Sequence, residues 1–219
     1  MRADADLPQR LSWVGLSVLR EKPIFGRLVD YFSAVRVLLE EVSIDGILRE
    51  YFDDEDALAY LRSSITGDVH FGCLVPDQTP HDLLVAAANH VGFSFNQRSF
   101  PSTIVAEELA TLGGRPVPTT IFEASLSAAT TSYRRMEAFL PHADPLTVDA
   151  WIRDGVGAHI GLRVKELSVL PRALELCKAH GLHLPSFLHD GLGKNILEGV
   201  TAFYIDRPRC RLEFYHREP

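Results

Sequence analysis

His70 and His159 each sit in a short apolar run with a glycine two residues on: Val69-His70-Phe71-Gly72-Cys73-Leu74-Val75 and Ala158-His159-Ile160-Gly161-Leu162-Arg163-Val164. Each run is followed, further down the chain, by one carrying a single glutamate: Arg135-Met136-Glu137-Ala138-Phe139-Leu140 and Arg211-Leu212-Glu213-Phe214-Tyr215. Alone, a histidine in an apolar strand is more often a hydrogen-bonded core residue than a ligand. A glutamate there can point to water, because alternate strand residues face opposite sides. The same residue types at matching places of two copies change that balance. Brought together in space, two imidazoles and two carboxylates suit a first-row divalent ion (Fe, Mn, Co, Ni or Zn). Four protein ligands leave an octahedral ion two open positions, where two adjacent oxygens of a substrate can bind. A closed structural zinc site offers no such vacancy.

The elements that must position these residues follow from periodicity. Phe25, Leu28, Val29, Phe32, Val35, Leu38 and Leu39 recur at three- and four-residue intervals, one face of an amphipathic helix. Ser43 with Asp45 caps a second short helix through Ile47, Leu48 and Tyr51. The acidic run Asp53-Asp54-Glu55-Asp56 suits a third helix start, where negative charge meets the helix dipole. It lacks the glycine and distal glutamate of a calcium loop. From Asp68 the spacing predicts strand, helix, then three strands: Val69 to Val75, His81 to His90, a strand from Gly92, Val117 to Ala124, and Tyr133 to Leu140. The second half repeats that order: His159 to Val164, Leu167 to His180, Leu182 to Leu184, Val200 to Ile205, and Arg211 to Tyr215. The histidines lie 89 residues apart and the glutamates 76, so the first copy carries longer connections, at Ser99 to Arg115 and Ser125 to Ser132. A repeat of this length outranks any single motif in deciding the fold. The expectation is an α+β chain: an N-terminal helical segment (1–65), then two βαβββ modules (66–145 and 146–219) forming a cupped mixed sheet.

His-[Ile/Phe]-Gly-x-x-Val on a first strand and Leu-Glu-Phe-Tyr on a last one, in two βαβββ modules, resemble the vicinal oxygen chelate superfamily. That superfamily includes glyoxalase, bleomycin-resistance and extradiol dioxygenase proteins. The resemblance covers about Asp68 to Pro219 and leaves the N-terminal helices outside. It implies metal ligands at His70, Glu137, His159 and Glu213. Glu123 rivals Glu137, lying 53 residues after His70 where Glu213 lies 54 after His159. Glu137 is preferred because its local sequence matches that around Glu213.

Arg163 shares a strand face with His159 and Gly161, and Arg211 shares one with Glu213, so both are candidates for substrate binding. Arg211 could instead hold Glu213 in place. His81, His90, His142, His180, His183, His189 and His216 fall at helix ends, loops or strand rims, and of these His189 and His216 could line the mouth of a cup. Gly191-Leu192-Gly193-Lys194 lacks the spacing of a phosphate loop.

Composition narrows the function classes. The net charge of −7 argues against a nucleic-acid surface. No apolar run nears the roughly 20 residues that span a bilayer. Met1 to Arg10 has no signal-peptide core, and Cys73, Cys177 and Cys210 form no disulfide or thiolate-zinc pattern, so a cytoplasmic location is expected. The expected partner is a small molecule. The N-terminal helices pack on the outer face of a sheet, cover the cup, or form a homodimer contact.

The expected activity is that of a metal-dependent isomerase, epimerase or lyase of glyoxalase type. The ion would polarise a carbonyl and stabilise an enediolate, while Glu137 or Glu213 acts as base. The alternatives are a non-haem iron dioxygenase using His70, His159 and Glu213, or a non-catalytic binder of the same fold.

Overall fold

The computed structural model describes residues 23–76, 79–126, 133–185, 191–195, 199–206 and 210–218. The described residues open with three helices, α1 (Ile24–Glu41), α2 (Ile44–Arg49) and α3 (Glu55–Ser64). The side chain of Ser43 accepts from Gly46 N at the start of α2, and that of Asp54 accepts from Ala57 N at the start of α3. These caps satisfy amide donors that have no partner inside a first turn.

The first module runs β1 (Ile65–Leu74), α4 (His81–His90), β2 (Phe93–Pro101), α5 (Thr103–Gly113), β3 (Thr119–Leu126) and β4 (Arg134–Pro141). After α6 (Pro145–Asp154) comes the second: β5 (His159–Val164), α7 (Val169–Ala179), β6 (Gly193–Asn195), β7 (Val200–Ile205) and β8 (Arg211–Arg217). The eight described strands form one sheet in the order β2-β3-β4-β1-β5-β8-β7-β6. Within each module the first and last strands pair in parallel and the others antiparallel. The modules meet at the antiparallel pair β1–β5, so each is carried onto the other by a twofold relation at that seam. This is the paired βαβββ arrangement, in one mixed sheet, that the repeat in the sequence predicted.

Strand alternation sorts side chains onto two faces. Val69, Phe71, Cys73, Ile160, Leu162, Met136, Ala138, Leu212 and Phe214 join α1–α4 and α7 in the main core on the outer face. Outer-face packing, one of the roles expected for the N-terminal helices, is observed. Phe32 and Leu39 of α1 are fully buried there, and Phe25 lies at its edge. The inner face carries the candidate residues. The long connection expected at Ser99 to Arg115 contains the helix α5, and α6 joins the two modules; both lie on that side. Val105 and Leu109 of α5 pack with Leu74, Ile121 and Phe139, and with Val148 and Trp151 of α6. Ile104 of α5 reaches the second module at Val200, Ala202, Tyr204 and Tyr215.

One strand differs from expectation. Residues 182–184 form no strand, and the edge strand of the second module is β6, paired with β7 through Gly193↔Ala202 and Asn195↔Val200. Asn195 Nδ2 donates to Pro101 O at 3.4 Å and Thr103 Oγ1 to Lys194 O at 3.4 Å, tying this edge to the end of β2. The sheet therefore curls until its two edges nearly meet, with α5 bridging them. Among the described residues no helix is long and apolar enough to cross a membrane.

Candidate metal centre

The β1–β5 register sets His70 opposite Gly161 and Gly72 opposite His159. The parallel pairs add the second half of each unit: His70↔Arg135 and Gly72↔Glu137 in one module, His159↔Arg211 and Gly161↔Glu213 in the other. The repeated His-x-Gly and Arg-x-Glu spacings thus put all four acid and imidazole groups on one face around the seam.

Three of them converge. His70 Nε2 lies 3.1 Å from His159 Nε2 and 2.8 Å from Glu213 Oε2, and His159 Nε2 lies 3.6 Å from the same oxygen. Ligand atoms about 2.1 Å from one ion stand about 3.0 Å apart at right angles and about 3.4 Å apart at tetrahedral angles, so these spacings fit a shared cation. All three residues are buried. Glu213 Oε2 receives no well-aligned hydrogen bond, a costly state for a buried carboxylate oxygen unless a cation meets it. The other oxygen, Oε1, accepts from Tyr204 Oη at 2.7 Å.

Glu137 is close but outside this group. Its Oε2 is 3.7 Å from His70 Nε2, while Oε1 is held by Arg135 Nη2 at 3.0 Å. Arg135 also donates from Nη1 to Glu123 Oε1 at 3.1 Å and stacks on the Tyr215 ring at 5.3 Å. Glu123, the rival carboxylate, pairs with Glu137 across β3–β4 as Tyr204 pairs with Glu213 across β7–β8. It is bound by Arg135 and by Arg217 Nη2 at 2.6 Å, and it stands in the place of the second module's tyrosine.

Burial alone would raise the Glu137 carboxyl, but His70 and Arg135 outweigh it and hold it at about 2. Burial would likewise raise Glu213, and His70 and His159 bring it below the ordinary range. Burial lowers His159 despite the two carboxylates nearby, which favours the neutral imidazole a metal needs. Burial and the Glu213 charge keep the Tyr204 phenol protonated.

A narrow cavity of about 20 Å³, partly open to solvent, lies over this face. His70, Glu137 and Glu213 line it with Arg135, Arg217, Tyr204, Tyr215 and Asn195, and α5 contributes Ile104 and Val105. The arginines singled out from sequence do not line it. Arg163 pairs with Asp68 at 3.3 Å. Arg211 is drawn to Asp206 at 2.9 Å and to Glu108 of α5, rather than holding Glu213. Arg135 was readable as their equivalent, because Arg-x-Glu stands in both copies. Tyr204 carried no such signal. His216 alternates away from Glu213 on β8, and His189 lies outside the described residues.

No protein-family model and no curated protein matches the sequence. Among solved structures, the chain is similar to methylmalonyl-CoA epimerase from Mycobacterium tuberculosis, at 12% identity and a TM-score of 0.43, over 72% of this chain and 89% of that one. A hypothetical protein from Bacillus halodurans C-125 matches at 14% identity and a TM-score of 0.43, over 68% and 93%. A 4-hydroxymandelate synthase mutant from Streptomyces coelicolor matches at 9% identity and a TM-score of 0.40, over 71% and 49%.

Proposed function

We propose that the chain is a metal-dependent enzyme acting on a small substrate with two adjacent oxygens, in which His70, His159 and Glu213 hold a divalent ion and Glu137 is the base. The observation that carries this reading is the convergence of three ligand atoms at 2.8 to 3.6 Å beside a cavity. Bound there, such an ion would supply Lewis acidity, polarising a carbonyl and acidifying the carbon next to it.

The chain's own groups do the rest. Glu137 stands beside the ligand atoms and faces the cavity, within reach of a proton on a substrate held there. Held at about 2, it is ionised at neutral pH and weakly basic, so it removes only a proton that is already acidified. Tyr204 fixes the rotamer of Glu213 through Oε1 and turns Oε2 toward the imidazoles. Ile104 and Val105 give the cavity an apolar wall that limits water beside the ligand atoms. The reaction class is isomerisation, epimerisation or lyase cleavage by proton transfer, and the substrate must be small enough for a cup that α5 largely fills.

A second reading has one observation in its favour. Two histidines and one carboxylate, with Glu137 outside the group, is the ligand pattern of non-haem iron oxygenases.

Metal content of wild type, Glu213→Gln and Glu137→Gln tests the site, and solvent-deuterium uptake by α-hydroxy and α-keto acids tests the chemistry. Metal lost in Glu213→Gln but kept in Glu137→Gln, with deuterium uptake abolished in both, is the expected result. Oxygen consumption by the iron form that survives Glu137→Gln would instead establish the dioxygenase. Wild type that takes up no divalent ion would leave only a binding protein.

A further inference from the structure

His70 and His159 occupy equivalent places, but the partners of their Nδ1 atoms call for protons on different nitrogens. The carbonyl of Gly157 can only accept, so its 2.9 Å contact puts a proton on His159 Nδ1 and leaves Nε2 a lone pair. The guanidinium of Arg135 can only donate. Its Nη2 is 3.3 Å from His70 Nδ1, so that nitrogen is the acceptor and the His70 proton sits on Nε2. From there it is aligned with His159 Nε2 at 3.1 Å, while Glu213 Oε2 lies 2.8 Å away without a well-aligned bond. The proton occupies the middle of the group, where a cation would be held. In this tautomer His70 has no lone pair to offer from Nε2.

We infer that Arg135 is a positioning residue that competes with the divalent ion for His70: its contact with Nδ1 fixes the Nε2–H tautomer, and loading the site requires that contact to break. The inference rests on the metal reading above and names the residue that regulates occupancy of that site. On loading, His70 loses the Nε2 proton to solvent and gains one at Nδ1, with no net change in charge. An Nδ1–H and a guanidinium N–H would then face each other as two donors, which cannot bond. Arg135 keeps its contacts with Glu123 and Glu137, at 3.1 and 3.0 Å, and so continues to hold Glu137 away from the ion. In the second module Arg211, equivalent to Arg135 in register, is directed to Asp206 and Glu108, and His159 Nδ1 meets the Gly157 carbonyl instead.

Two measurements test this together. Long-range nitrogen–proton correlation spectra of the metal-free protein report the tautomer, with His70 assigned by its loss in His70→Gln. Wild type should show His70 protonated at Nε2, and Arg135→Met should shift it toward Nδ1. Calorimetric titration with Co²⁺ should give at least about tenfold tighter binding in Arg135→Met, on the scale of groups that orient metal ligands. Arg217→Met removes another cation lining the same cavity but no contact with His70, and should change affinity much less than Arg135→Met does. Arg135→Lys, which keeps a cation beside Glu123 without the planar fork, should fall between wild type and Arg135→Met; with the wild-type tautomer it decides the matter if the methionine variant does not fold. A His70 proton on Nδ1 in metal-free wild type overturns the inference. So does Co²⁺ affinity unchanged in both Arg135 variants, or a gain matched by Arg217→Met. Wild type that binds no Co²⁺ removes the metal reading itself, and this inference with it.

Discussion

Gly161 stands directly opposite His70 in the β1–β5 ladder, and the imidazole of His70 fills the space left by the missing side chain. Gly72 and His159 have the same relation one step along. A Cβ at Gly161 would lie within 2.6 Å of three ring atoms of His70, and one at Gly72 within 2.7 Å of three ring atoms of His159. The glycine of each His-x-Gly run thus serves the histidine of the other module. Close approach across the seam is what lets the two Nε2 atoms meet.

Gly161→Ala should therefore act on His70 without touching a ligand. The ring must leave its place, so metal affinity should fall by at least about tenfold, as when a ligand loses its supporting contacts. Overpacking should also cost about 1–3 kcal/mol in chemical denaturation. Gly72→Ala should do the same through His159. Metal titration beside a urea melt checks both, and unchanged affinity in either variant would show that the glycine spacing is not what places the rings.

Tyr204→Phe should separate orientation from ligation. The hydroxyl donates to Glu213 Oε1 at 2.7 Å, and its loss leaves that oxygen buried without this donor. Stability should drop by about 1.5–3 kcal/mol, the range for hydrogen bonds to charged groups. Metal affinity should fall about 10–100-fold, less than in Glu213→Gln. Equal losses in the two variants would mean that Tyr204 does more than aim the carboxylate.

Acid should destabilise the metal-free fold in two stages. His159 is lowered from 6.5, so the unfolded chain binds its proton first, and stability begins to fall as pH drops below about 6.5. Glu137 is held at about 2 against 4.5 in the unfolded chain. Its contribution, on the order of 3 kcal/mol, is complete above pH 4.5 and is lost as pH falls from there toward 2. Glu213 is lowered as well and acts with the same sign. Urea midpoints measured across this range should decline throughout and most steeply below pH 4.5. In Glu137→Gln that lower slope should flatten.

The sequence by itself determined which residues share the inner face. A strand alternates with period two, so His-x-Gly and Arg-x-Glu each commit both of their residues to one side, and repetition of both motifs commits the two modules alike. The outer-face helices were legible for the same kind of reason, through the three- and four-residue spacing of Leu28, Phe32, Val35 and Leu39. Helix α5 also carried local signals, with Ser102 accepting from Val105 N at its start and Gly114 in a left-handed turn at its end. They were hidden inside what counted only as extra length between two copies. Strand β6 could not be read in this way, because three residues at a sheet edge take their register from β7 and not from a pattern of their own.

Which carboxylate joins the imidazoles was decided by tertiary structure alone. Locally Glu137 and Glu213 are alike, each two residues after an arginine. Glu108, 103 residues before Arg211 and on the helix α5 of the first module, helps draw that arginine aside. At the matching place Arg135 remains on Glu137, held between it and Glu123. Electrostatic partners brought from distant parts of the chain thus divide two equivalent glutamates into a candidate ligand and a restrained neighbour. A pattern of two and four residues holds no information about groups a hundred residues away.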